Sequence, residues 1–145
     1  MERETSVSAV FESGEDIAAA RDLARDFLET LREKCGVTVS PRALGAVRLV
    51  VSELVTNARK YAPGPCLLTL GLHEGTVEVT VWDSSTTLPL TLPPDPTRVG
   101  QHGLEIVRAV CHGFEAHREP VGKRVRAVVT LADEPDGIAA DRRTA

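Results

Sequence analysis

From Ser40-Pro41 to Pro63-Gly64-Pro65 the chain carries one long apolar periodicity with marked ends, and this segment constrains the fold more than any other. Serine caps a helix and proline is tolerated at its first position, so a helix starts here. Leu44, Val47, Leu49, Val51, Leu54, Val55 and Ala58 are expected to point toward a core, and the Pro-Gly-Pro turn ends the helix near Tyr61. Three polar residues interrupt the second half of this helix. Glu53, Asn57 and Lys60 are four and three residues apart, so they share one face. A carboxylate, a neutral amide oxygen and an ammonium so placed could meet a metal-bound phosphate together. The same spacing also suits a solvated stripe on an ordinary amphipathic helix, and this window alone leaves both readings open.

Other segments give the frame. Val7, Ala9 and Phe11 alternate with Ser6, Ser8 and Glu12, as in a half-buried first strand. Ser13-Gly14-Glu15-Asp16 reads as a helix start. Ile17, Ala20, Leu23, Ala24, Phe27, Leu28 and Leu31 then recur at helical spacing to about Lys34, with Gly36 near the end. Cys66 to His73 and Thr76 to Trp82 form a predicted hairpin around Glu74-Gly75, with Val77, Val79 and Val81 on one face and Glu78 and Thr80 on the other. Residues 84–99 are rich in proline, threonine and serine and read as a loop. A short helix over Gly103 to Val110 follows, then strands at Phe114 to Arg118 and Arg124 to Leu131. The order β-α-α-β-β-loop-α-β-β predicts an α+β two-layer sandwich, with helices on one face of a mixed, mostly antiparallel sheet. Residues 1–131 are expected to form one domain and 132–145 a frayed tail.

Composition narrows the partners. The net charge of -4 and pI near 5.6 argue against general nucleic-acid binding, which needs a basic face. No window has the long uncharged run of a membrane helix, and Met1-Glu2-Arg3-Glu4 does not open a signal peptide, so a cytoplasmic protein is expected. Cys35, Cys66 and Cys111 lack the spacing of a zinc site or a disulfide framework.

Three sequence boxes taken together add a family resemblance. The Glu53 to Lys60 stretch, Asp83 at the end of a strand, and Gly100-Gln101-His102-Gly103-Leu104 opening a helix resemble the N, G1 and G2 boxes of the GHKL ATP-binding superfamily. That superfamily includes DNA gyrase B, mismatch-repair ATPases, histidine kinases and bacterial anti-sigma factor kinases. The resemblance covers roughly residues 5–131 and implies a Bergerat-type fold.

It also implies roles. Glu53 would be the base that deprotonates an attacking hydroxyl, and Asn57 the magnesium ligand. Lys60 would reach a phosphate as a point charge, while Arg59 is expected to face solvent. Asp83 would accept a hydrogen bond from the exocyclic amine of adenine. Gly100, Gly103 and Leu104, within G-x-x-G-L-x-I-V, would hold phosphate oxygens at a helix start, with His102 packing in a lid or touching phosphate. Two departures stand out. Ser85 and Thr87 occupy the places of the family's two glycines in D-x-G-x-G, so Ser85 would line the nucleotide site with a more restricted backbone. Gly122-Lys123-Arg124-Val125 occupies the place of the family's G-T-x-x segment without its adenine-binding threonine.

No helix with a phosphoacceptor histidine precedes Glu53, and no transducer domain follows, so the nearest resemblance is to stand-alone anti-sigma factor serine/threonine kinases. This implies ATP and Mg²⁺ as cofactors, a sigma factor and an anti-anti-sigma antagonist as protein partners, and a possible homodimer. The departures keep a second expectation in view: a non-catalytic regulatory module of the same fold, binding nucleotide weakly or not at all.

Overall fold

The computed structural model describes residues 5–12, 17–61, 64–84 and 110–132, the side chains of residues 60 and 61 excepted. The elements are β1 (Ser6–Phe11), α1 (Ile17–Lys34), α2 (Pro41–Tyr61), β2 (Cys66–His73), β3 (Thr76–Asp83), β4 (Gly113–Arg118) and β5 (Lys123–Thr130). The strands form one sheet in the order β1-β2-β3-β5-β4, and every pairing among the described strands is antiparallel. Both helices pack on one face, which gives the expected two-layer α+β architecture. The predicted helix start at residues 13–16, the loop at 84–99 apart from Ser84, most of the short helix at 103–110 and nearly all of the tail at 132–145 lie outside the described residues.

Local chemistry accounts for the element ends. Ser40 Oγ accepts the backbone N–H of Ala43 at 3.0 Å and so caps α2, with Pro41 at the first helical position. Gly36 sits at φ 69°, and the Val37 N–H reaches back to the Leu31 carbonyl at 3.0 Å, which closes α1 in the left-handed way glycine allows. Glu74 (φ 48°) and Gly75 (φ 81°) both have positive φ, as a tight two-residue hairpin turn between β2 and β3 requires.

The core fills the space between the layers. Ala20, Ala24, Phe27, Leu28 and Leu31 of α1 are buried, as the spacing predicts, while Ile17 and Leu23 flank them half-buried. On α2 the buried stripe is Ala43, Val47, Val50, Val51, Leu54, Val55 and Ala58. Val50 thus takes a core place expected for Leu49, which is half-buried. At about 100° per residue, Leu49 lies two steps from Val47 and off the stripe, whereas Val50 is three steps away and on it. Burying one such aliphatic side chain contributes about 1.5–3 kcal/mol. The sheet supplies Leu68, Leu70, Val77, Val79, Val81, Val125, Ala127 and Val129, the alternate residues facing the helices.

Candidate functional site

The inward faces of β3 and β5 meet rung by rung: Val77 with Val129, Val79 with Ala127, Val81 with Val125. The next rung in the same phase is Asp83 with Lys123. An apolar ladder therefore ends in a charge pair on the helix-facing side of the sheet. Lys123 Nζ donates to Asp83 Oδ1 at 2.9 Å and to Oδ2 at 2.8 Å. Lys123 is 0% exposed and Asp83 1%. Two charges withdrawn from water this far are tolerable only because each supplies the other's counter-charge and hydrogen bonds.

The β4–β5 turn holds Lys123 in this position. Gly122 has φ 82°, and a Cβ there would overlap the Asp83 carbonyl oxygen and lie 3.0 Å from Trp82 Cζ2. Only glycine lets the turn approach β3 so closely. Glu119 N–H donates to the Gly122 carbonyl at 2.9 Å, and Trp82 Nε1 donates to the Val121 carbonyl at 2.8 Å, tying the turn to the end of β3.

The C-terminal half of α2 approaches the same end of the sheet. A Cβ at Gly64, just past the helix, would lie 3.6 Å from Ser84 Oγ, just past Asp83. Cys66 opens β2 nearby and is buried. Its burial, and next the negative charge of Asp83, push the thiol above its ordinary value, while the positive charge of Arg59 acts in the opposite sense. Arg59, expected to face solvent, is half-buried and close enough to be felt at that thiol.

Glu53 and Asn57 are both half-buried, one turn apart, at the border of the α2 stripe made by Leu54 and Ala58. The helix carries both and extends through residue 60; the Lys60 side chain lies outside the described residues. Ser85, Gly100, His102, Gly103 and Leu104 also lie outside them. Among the described residues no group of three His, Cys, Asp or Glu side chains could hold a metal ion. A single neutral amide oxygen such as that of Asn57 is the kind of protein ligand that suits magnesium, an ion that takes few protein ligands.

Lys123 is the site residue that sequence reasoning passed over. It was legible: with Val125, Ala127 and Val129 assigned inward, strand alternation carries Lys123 inward as well.

The model of the histidine kinase-like ATPase domain matches residues 15–129, so the chain belongs to that family. Among solved structures, the RsbU and RsbW domains of Rv1364c from Mycobacterium tuberculosis match with a TM-score of 0.64 at 16% identity. The match covers 88% of this chain and 32% of that one, so this chain spans about a third of the length of that neighbour. The histidine kinase domain of the Erythrobacter litoralis EL346 blue-light activated histidine kinase matches with a TM-score of 0.50 at 17% identity, over 90% of this chain and 68% of that one. At these identities the likeness is one of fold. No curated protein matches the chain.

Proposed function

We propose that this ATPase-family chain is a regulator of the anti-sigma factor kinase type, which binds a sigma factor and phosphorylates a serine of an anti-anti-sigma antagonist. The observation that carries this reading is that Glu53 and Asn57 lie one turn apart and half-buried on α2, the helix whose following residue Gly64 comes back beside Ser84 at the end of β3. In this reading Glu53 would take the proton of the attacking serine hydroxyl, and the Asn57 amide oxygen would hold Mg²⁺, which would supply neutralisation of phosphate charge. Lys60 and the helix start at Gly100 to Leu104 hold phosphate oxygens, with Ser85 and His102 beside them. When bound, Mg²⁺-ATP supplies the γ-phosphoryl group; the chain's residues position it and accept the proton. We place the protein in the cytoplasm as a single domain over residues 1–131, able to form a homodimer.

The test is phosphate transfer from radiolabelled ATP to a panel of anti-anti-sigma proteins. Glu53→Ala is expected to abolish transfer while Mg²⁺-ATP still binds; undiminished transfer would refute the assignment of the base.

A second reading is favoured by the Asp83–Lys123 pair. A carboxylate held by a buried lysine is poorly placed to receive a base, as suits a non-catalytic module that docks proteins without nucleotide. No binding at millimolar Mg²⁺-ATP, together with partner docking, would favour it.

A further inference from the structure

We infer that Lys123 is a specificity-determining residue that gates the nucleotide-base site, its ammonium occupying the place on Asp83 that an adenine amine would take. The inference rests on the reading of Asp83 as the base-recognition carboxylate.

Three observations carry it. Both Asp83 oxygens accept from Lys123 Nζ, at 2.9 and 2.8 Å, and the carboxylate is 1% exposed, so the lysine caps a carboxylate that is shut off from solvent. The lysine is built in rather than adventitious. It continues the Val125, Ala127, Val129 phase of β5 in register with Asp83, and its approach depends on Gly122, where any Cβ would strike the Asp83 backbone. The chemistry is also alike: an ammonium and an exocyclic amine are both N–H donors to a carboxylate, so they compete for one acceptor. The lysine wins in the free protein because it carries a full charge and its chain is already ordered.

It follows that adenine nucleotide enters only when the Lys123 side chain leaves Asp83. Measured affinity is then the intrinsic affinity reduced by the fraction of molecules with the carboxylate open. The gate also sets specificity. An opened Asp83 accepts from the adenine amine and repels guanine, which presents a carbonyl oxygen at the corresponding position.

The test is calorimetric titration of Mg²⁺-ATP and Mg²⁺-GTP into the wild type, Lys123→Thr, Asn57→Ala and the double variant. Threonine is short enough to free the carboxylate and admit water. Lys123→Thr is expected to bind Mg²⁺-ATP at least tenfold more tightly than the wild type, with no comparable gain for Mg²⁺-GTP. Unchanged or weaker ATP affinity in a folded Lys123→Thr protein would overturn the gate. Asn57→Ala separates this failure from failure of the site reading. ATP affinity that falls with Asn57→Ala but ignores Lys123→Thr leaves the site standing without a gate. Affinity that rises with Lys123→Thr and ignores Asn57→Ala keeps the gate and removes the magnesium assignment.

Should Lys123→Thr fail to fold, amine acetylation of the wild type decides. Lys123 is expected to resist acetylation without nucleotide and to become modified wherever Mg²⁺-ATP raises the Tm. A Tm gain with Lys123 still protected, or modification without nucleotide, would overturn the proposal.

Discussion

Strands β3 and β5 are joined by ion pairs on both faces of the sheet, and the two faces treat the same chemistry in opposite ways. On the helix-facing side Asp83 and Lys123 are sealed from water. On the open side Arg126 Nη2 lies 2.9 Å from Glu78 and Arg126 Nη1 3.4 Å from Glu115, while Glu115 also meets His117 Nε2 at 2.8 Å, all partly or well exposed. The open-side pairs exchange water for each other at little net gain. The inner pair has no water to fall back on, so losing either partner strands a charge, although the intact pair adds little over an apolar one. Distances alone, all between 2.8 and 3.4 Å, would not separate the two cases; burial does.

The comparison can be broken most strongly by Asp83→Ala, which leaves the Lys123 ammonium buried alone. A loss of about 3–5 kcal/mol is expected in urea unfolding. Gly122→Ala attacks the approach rather than the charges. Its positive φ and the overlap with the Asp83 carbonyl predict a loss of at least about 2 kcal/mol, read from the same midpoint shift. On the open face Arg126→Ala should cost less than about 1 kcal/mol and lose its effect in molar salt. The double change Asp83→Leu with Lys123→Met is the sharpest contrast. It should recover most of the stability lost in Asp83→Ala, because two apolar groups of similar volume need no counter-charge.

The open face also has a pH signature. The Arg126 hydrogen bond holds the Glu78 carboxyl below its ordinary value of 4.5, and the His117 hydrogen bond, then Arg126, does the same for Glu115. A depressed carboxylate contributes stability above the ordinary value and loses it as pH falls through the folded-state value. Urea midpoints should therefore drop below about pH 4.5 with a small slope attributable to this ladder, and Arg126→Ala should flatten that part of the curve.

Much of this fold was legible because its signals are local. The Ser40 cap, the Gly36 terminus and the Glu74-Gly75 turn each depend on a few neighbouring residues, and β2 spans the predicted residues 66–73. The α2 face of Glu53 and Asn57 was legible for the same reason. Contacts between distant segments were not. That Lys123 meets Asp83 depends on a register across 40 residues, and that Arg59 is felt at Cys66 depends on where the chain returns after Gly64. The spacing of one helix or one strand holds no record of either. The Leu49 error is of another kind, since the helical period by itself places Val50, not Leu49, on the buried stripe.

The central claim, that Asp83 is held by Lys123, is most directly tested by nitrogen-detected NMR of the lysine ammonium groups in the wild type and in Asp83→Asn. The lysines are Lys34, Lys60 and Lys123, so the assignment is simple. A slowly exchanging ammonium signal at neutral pH, assigned to Lys123 and lost in Asp83→Asn, is the predicted result. Rapid exchange of every lysine ammonium with solvent in the wild type would contradict the account.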